Sequence, residues 1–304
     1  MTVVLPKAYH IQSVLEKNGV QCIAETAARH QDIRPLRIGI LNIMPKAEEY
    51  EFNLLLPLGL SILQIVPVWI RLESHVYKTA DPHHLARYYV TFAEAMRDSI
   101  LDGLIVTGAP VEEMPYEEVH YWDELTGILG EAQKKIPSTL GICWGGLALA
   151  KFVGIEKIAL PKKVFGVFPT KNLQRNHPIT GGLDDVFACP QSRHAGIADK
   201  VLEQEQKAGR INLLAYAEDA GYTIFETPDH RFIMHLGHQE YNSQRIVFEA
   251  ERDRKAKRPD VGEPVNFDLQ NPVNHWRANR NEFFSAWIRY VYLTTKYDMS
   301  VKHG

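Results

Sequence analysis

Cys143 stands between Gly141 and Gly145, where a short apolar run (residues 138–142) meets a helical pattern that begins Trp144-Gly145-Gly146-Leu147. A nucleophile held at a sharp strand-to-helix turn needs small residues two before and two after it, and the two glycines meet that need. The start of a helix also favours a thiolate, through the helix dipole and the free N–H groups of the first turn. The plain alternative is a buried structural cysteine. A second stretch supplies what a cysteine nucleophile lacks. Residues 232–241 read Phe-Ile-Met-His-Leu-Gly-His-Gln-Glu-Tyr, an apolar run that ends in Gly237 and is followed by His238-x-Glu240. A thiol needs a base to take its proton, and the base needs a carboxylate to fix its tautomer and stabilise the imidazolium. His238 and Glu240 suit those roles. His235 competes as the base, but it lies inside the apolar run, where a satisfied core histidine is the plainer reading.

These residues must be positioned by strands. Residues 36–44 read as a first strand stopped at Pro45, followed by a helix to about Leu58; residues 63–70 read as a second strand, with Pro67 arguing for an edge or a bulge. Residues 84–97 read as a helix with Leu85, Tyr88, Tyr89 and Phe92 on one core-facing stripe. A third strand at 103–106 opens into the turn-rich loop Thr107-Gly108-Ala109-Pro110-Val111-Glu112-Glu113-Met114-Pro115. A helix over 116–134 and a fourth strand over 137–142 lead to Cys143. The alternation of strands and helices implies α/β architecture with a mostly parallel sheet flanked by helices. Ligands bind such sheets at the C-terminal strand ends, where Cys143, His238 and the 107–115 loop all fall. From 164 to 235 the pattern changes to short strand-like runs. Residues 243–254 form a helix, 256–276 a basic, proline-bearing loop, and 281–297 a closing aromatic helix. Residues 1–34 read as an N-terminal arm packed on the body or on another subunit, and 35–300 as one domain.

The 304 residues carry a net charge of −3 with mixed signs, which gives no reason to expect a nucleic acid or a membrane surface as partner. The basic run 252–258, with few aromatics interleaved, reads as a solvated helix end, Arg252 set aside. Three cysteines, at 22, 143 and 189, show no metal-site spacing and fit free thiols in a reducing compartment. No apolar run approaches the ~20 residues of a membrane span, and the first residues lack the basic and apolar regions of a signal peptide. A cytoplasmic protein without a bound metal is expected.

Together the elbow and the His-x-Glu resemble the class I glutamine amidotransferase-like (flavodoxin-like) fold. More narrowly, the chain is similar to the homoserine O-acyltransferases of methionine biosynthesis. The resemblance rests on Leu41-Asn42-Ile43-Met44-Pro45-Lys46, Thr107-Gly108-Ala109-Pro110, Cys143-Trp144, Pro190-Gln191-Ser192-Arg193, Gly237-His238-Gln239-Glu240-Tyr241 and Asn274-His275-Trp276-Arg277. Cys-Trp at the elbow and Asn-Ile-Met-Pro-Lys near the start separate it from the amidotransferases. It implies ping-pong acyl transfer with no cofactor: Cys143 takes the acyl group from an acyl-CoA, and L-homoserine, deprotonated by His238, accepts it, with Glu240 orienting His238. The expected oxyanion donors are the backbone N–H of Trp144 and a second one near residues 42–44.

The resemblance further places substrate contacts at Lys163 (with Lys162 one residue away as the alternative), at Ser192, and at Arg252, read as a bidentate clamp on the homoserine carboxylate. In this family the position two after Ala-Pro bears on the donor. Glycine accompanies succinyl-CoA and glutamate accompanies acetyl-CoA. Glu112 stands there, where it would repel the second carboxylate of a succinyl group, so acetyl-CoA is the expected donor. A solvated acidic loop is the plain alternative. The resemblance also implies a homodimer. Competing readings are a glutaminase-type or hydrolytic cysteine enzyme on the same fold, the same transfer with succinyl-CoA, and a non-catalytic ligand-binding relative.

Overall fold

The computed structural model describes residues 2–31, 33–98 and 100–295. In chain order the elements are β1 (Thr2–Leu5), α1 (Gln12–Lys17), β2 (Gln21–Ala24), α2 (Glu25–Ala28), β3 (Leu36–Leu41), α3 (Ala47–Gly59), β4 (Gln64–Ile70), α4 (Pro82–Tyr88), β5 (Tyr89–Val90), α5 (Phe92–Asp98), β6 (Gly103–Val106) and α6 (Trp122–Lys135). They continue with β7 (Ser138–Ile142), α7 (Trp144–Phe152), β8 (Ile158–Asn172), β9 (Val186–Gly196), α8 (Asp199–Lys207), β10 (Asn212–Ala217), β11 (Gly221–Glu226), β12 (Phe232–His235), α9 (Ser243–Lys255) and α10 (Arg277–Thr294).

One sheet runs β2-β1-β4-β3-β6-β7-β12-β11-β10-β8-β9. It is parallel from β2 to β12 and antiparallel from there to β9. The parallel half is apolar on both faces: Ile38 and Ile40 sit in one buried cluster, Leu41, Leu104 and Val106 in the other, as expected of a sheet covered by helices on each side. No helix among the described residues is long and apolar enough to cross a membrane.

Three local readings of the sequence change. The segment read as an arm contributes β1 and β2, two four-residue parallel strands added beside β4. Pro67 does not put β4 at the sheet's edge. It pairs with Ile38 of β3, and on its other side β4 meets β1 only at residues 64–65 and β5 only at 69–70. Pro67 falls in the gap between those two short partners, where a missing N–H costs no ladder bond. The helix expected over 84–97 is broken, because Tyr89 and Val90 leave it to pair with Trp69 and Ile70. Tyr89 is buried there, stacked on Trp69 with ring centroids 5.7 Å apart. The closing helix runs Arg277–Thr294; its expected end at Tyr297 and the domain end at 300 lie outside the described residues.

Candidate active site

Strands β7 and β12 are parallel neighbours in a register that sets Ile142 beside His235. Both chains therefore leave the sheet together, with Cys143 one residue on and His238 three. The Cys143 N–H donates to the His235 carbonyl at 2.8 Å, tying the two exits. Cys143 has φ +53° and ψ −115°, a conformation that non-glycine residues adopt only when the surroundings enforce it. The enforcing contacts are visible at the flanking glycines. A Cβ on Gly141 would lie 2.5 Å from the Gly145 carbonyl oxygen, and one on Gly145 would lie 2.2 Å from that of Val106. The elbow thus needs both glycines for backbone contact.

His238 is buried and stacks on Tyr241 at 4.0 Å. Its Nδ1 meets Glu240 Oε1 at 2.6 Å, and its backbone N–H donates to the Pro190 carbonyl at 2.8 Å. Burial opposes the imidazolium, but charge and hydrogen bonding from Cys143 and Glu240 outweigh it and raise its pKa well above the ordinary histidine value. The imidazolium form of His238 is what these contacts favour. Glu240 also accepts a hydrogen bond from the Tyr50 hydroxyl of α3, whose own pKa is pushed up by burial, so Tyr50 remains a donor. Nothing in the sequence pointed to Tyr50, which is 190 residues from its partner.

His235 is a core histidine, but only half satisfied, since its Nε2 is buried without a partner. Its Nδ1 accepts the Gly237 N–H at 3.0 Å, and its ring meets Phe283 edge-on at 5.1 Å. Burial pushes its pKa down to about 4. The unfolded chain therefore binds more protons than the folded one between pH 6.5 and 4, and stability falls as pH drops through that window, by about 3 kcal/mol at its end. Urea midpoints at pH 7 and pH 4.5 are expected to show His235→Gln losing less stability on acidification than the unmodified protein; an equal loss would assign the acid sensitivity elsewhere.

The expected oxyanion donors divide. Trp144 begins α7, so its N–H has no acceptor within the helix. The N–H groups of 42–44 are already engaged: Asn42 with the Ile70 carbonyl at 3.1 Å, Ile43 with Thr107 Oγ1 at 2.8 Å, and Met44 with Asn42 Oδ1 at 3.2 Å. Gly108 lies against the elbow, since a Cβ there would be 3.5 Å from the Cys143 Cβ.

Beyond the elbow lies a buried charge cluster. Lys163 is buried while Lys162 is exposed. Lys163 Nζ donates to Asp253 Oδ2 at 2.7 Å, sits 3.6 Å from Glu249 Oε2 and lies over the Phe165 ring at 4.3 Å. Ser192 Oγ donates to Glu249, and the Ser192 carbonyl oxygen is 4.0 Å from Cys143 Sγ. Arg252 lies at the rim with its side chain about half exposed, bonded to Asp253 at 2.8 Å and 4.0 Å from Glu249. Glu249 is the hub. It also accepts from the Tyr241 hydroxyl at 2.7 Å. Burial works to raise its pKa, but Lys163, Arg245 and Arg252 pull it down to about 2. Glu249 was missed, yet the signal exists. The buried positions of α9 are Ile246, Glu249, Ala250 and Asp253, an apolar-stripe spacing carrying two acids.

Glu112 faces this cluster. Its carboxylate is favoured by the His194 backbone N–H, while Oε2 is buried with no partner. Burial raises its pKa against the pull of that N–H and of Lys163, His238 and Arg193. The solvated-loop alternative does not describe such a side chain. Arg193 is itself buried, and its guanidinium is held by neutral acceptors: Gln191 Oε1 at 3.0 Å, the Ala195 carbonyl at 2.9 Å, and the Ala220 carbonyl. The basic run after α9 also departs from a fully solvated end, since Arg258 reaches back to Glu113.

Among the described residues, three groups of histidines and carboxylates have metal-like proximity. In His10–Glu51–His84, Glu51 is saturated by Tyr9, Tyr89 and His84. In His177–Glu226–His230, His177 Nδ1 accepts the N–H groups of Ile179 and Thr180, which leaves its proton on Nε2, toward Glu226. That is the wrong tautomer for a ligand nitrogen. In Glu113–His194–Asp260 the Arg258 guanidinium occupies the centre.

Solved structures share the fold. A glutamine amidotransferase from Thermotoga maritima superposes with a TM-score of 0.58 at 14% identity, covering 85% of this chain and 99% of that one. A glutamine amidotransferase from Methylobacillus flagellatus gives 0.52 at 15% identity, covering 90% of this chain and 100% of its own. Sequence relatives are nearer. A homoserine O-acetyltransferase from Acetivibrio thermocellus is 38% identical, covering 99% of both chains. One from Geobacillus kaustophilus is 39% identical, covering 98% of this chain and 99% of its own. One from Jannaschia is 37% identical, covering 98% and 96%. The profile of the homoserine O-succinyltransferase family matches residues 2–297, and with full-length relatives at this identity the chain belongs to that family.

Proposed function

We propose that the protein transfers an acetyl group from acetyl-CoA to the hydroxyl of L-homoserine through a thioester on Cys143. His238, drawn toward its protonated form by Cys143 and Glu240, keeps the thiol ionised. The thiolate attacks the carbonyl carbon of acetyl-CoA, the charge gathers on the carbonyl oxygen near the Trp144 N–H, and CoA leaves as its thiol with the proton from His238. In the second half His238, now neutral, takes the homoserine hydroxyl proton as the oxygen attacks the thioester, and the Cys143 thiolate leaves. Thioester-to-ester exchange needs no redox or metal assistance. Homoserine is a zwitterion. Lys163 and Arg252 supply positive charge for its carboxylate, Ser192 a hydroxyl, and Glu249 the negative charge for its ammonium.

The observation that carries the acetyl reading is the Glu112 carboxylate, whose buried Oε2 has no hydrogen-bond partner beside Lys163 and His238. A succinyl group would bring a second carboxylate to a place already holding one. The test supplies acetyl-CoA alone, acetyl-CoA with L-homoserine, succinyl-CoA with L-homoserine, and glutamine alone. Homoserine-dependent release of CoA thiol from acetyl-CoA, with an acetyl mass on the peptide containing Cys143, is the expected result. Ammonia release from glutamine without such CoA release would favour the glutaminase reading.

A further inference from the structure

Glu112 sits in a loop of turns, and a loop does not by itself hold a carboxylate with one oxygen buried and unpartnered. Three contacts fasten this loop. Lys157 Nζ donates to the backbone carbonyls of Glu112 and Met114 and lies over the Tyr116 ring at 4.6 Å. The His194 backbone N–H favours the Glu112 carboxylate electrostatically. The third is Arg258, from the segment after α9. Its NH1 and NH2 grip the two carboxylate oxygens of Glu113 at 3.1 and 3.0 Å. Its Nε and NH2 grip those of Asp260 at 2.9 and 2.6 Å.

Asp260 carries the connection to the strands of the site. Its carboxylate lies 3.1 Å from His194 Nδ1 on β9, and its backbone carbonyl accepts the Lys163 N–H of β8 at 3.0 Å. Arg258 therefore ties the neighbour of Glu112 to the two strands that present Lys163 and Ser192. The ion pairs are half-exposed, with side chains 36% and 53% accessible for Arg258 and Glu113, so their contribution to stability is small. A guanidinium that grips two carboxylates two-pronged each time fixes geometry, which is the use this network is suited to.

We propose that Arg258 is a positioning residue for donor choice: by gripping Glu113 and Asp260 it holds Glu112 against the acyl site, so that loss of the grip admits a larger, charged acyl group. This rests on the reading of Glu112 as the residue that rejects succinyl-CoA. The residue missing from a simple motif comparison is Arg258, because the pair it forms with Glu113 spans 145 positions of sequence.

The experiment measures kcat/KM for succinyl-CoA relative to acetyl-CoA, with L-homoserine as acceptor, in Arg258→Ala, Arg258→Lys, Glu113→Ala and Glu112→Gly, and in Arg258→Ala combined with Glu112→Gly. The ratio is expected to rise about 5- to 20-fold in Arg258→Ala and Glu113→Ala and less in Arg258→Lys, while Arg258→Ala adds nothing once Glu112 is glycine. Melting temperatures should move by no more than about 2 °C, which separates positioning from general loosening. A rise that persists in the Glu112→Gly background would mean that Arg258 contacts the donor directly, and would overturn the proposal. So would unchanged ratios in Arg258→Ala and Glu113→Ala when Glu112→Gly alone shifts the ratio. If Glu112→Gly itself leaves the ratio unchanged, the reading of Glu112 fails and this inference falls with it. Should Arg258→Ala fold poorly, Glu113→Ala at the exposed end of the pair decides the question.

Discussion

His238→Ala is expected to lower kcat by about 10³- to 10⁴-fold with little change in fold, since in the proposed mechanism it removes the group that takes the proton of Cys143 and carries it between the two half-reactions. The geometry behind this is local and tight. Glu240 at 2.6 Å fixes the ring, Tyr50 donates to the same carboxylate oxygen of Glu240, and Tyr241 stacks on the imidazole face. Two measurements separate the parts of the effect. The rate of Cys143 alkylation by iodoacetamide across pH reports the thiolate population, which should drop near neutrality in His238→Ala. Acyl-enzyme formation in a single turnover reports the first half-reaction alone. Cys143→Ala should form no acyl-enzyme at all. Because His235 is neutral, buried and bonded to the Gly237 N–H, His235→Gln should keep most of its turnover. If His235→Gln abolished activity and His238→Ala spared it, the base would have been assigned to the wrong histidine.

Glu112→Gly is expected to raise the succinyl-to-acetyl ratio of kcat/KM by about 10²- to 10³-fold, the size that several kcal/mol of repulsion between two partly buried carboxylates would give. Glu112→Gln separates charge from bulk: it keeps the volume and removes the repulsion, so it should recover part of the shift. The pH dependence has a definite sign. Burial raises the Glu112 pKa, so acidification neutralises it earlier than an exposed glutamate, and relative use of succinyl-CoA should increase toward acid pH in the unmodified protein. In Glu112→Gly that trend should vanish. A ratio that does not move in either variant would return Glu112 to an ordinary loop residue.

The chemical centre was legible because its determinants are local. An elbow needs small residues at fixed offsets from its nucleophile, and Gly141 and Gly145 carry that need in the chain itself. His238 and Glu240 are two residues apart, so one turn after β12 presents both. The alternation of strands and helices up to Cys143 likewise follows from short-range patterning. Readings failed where a neighbour distant in sequence outvoted local preference. Tyr89 and Val90 interrupt a helical pattern because β4 offers them backbone partners. β1 and β2 are too short to announce themselves, and are strands because the edge of an existing sheet accepts them.

The sequence by itself marked the candidate nucleophile, the histidine and carboxylate proposed to serve it, and the sheet edge where they meet, since turn sterics and hydrophobic periodicity act over a few residues. Only the tertiary structure decided which lysine is buried in the charge cluster, that Glu249 is the hub of that cluster, that Tyr50 donates to Glu240, and that Arg258 grips Glu113 beside Glu112. Those are electrostatic facts about charges brought together by folding. A buried ion pair is set by distance in space and by exclusion of water, and neither quantity is written in the spacing of residues along the chain.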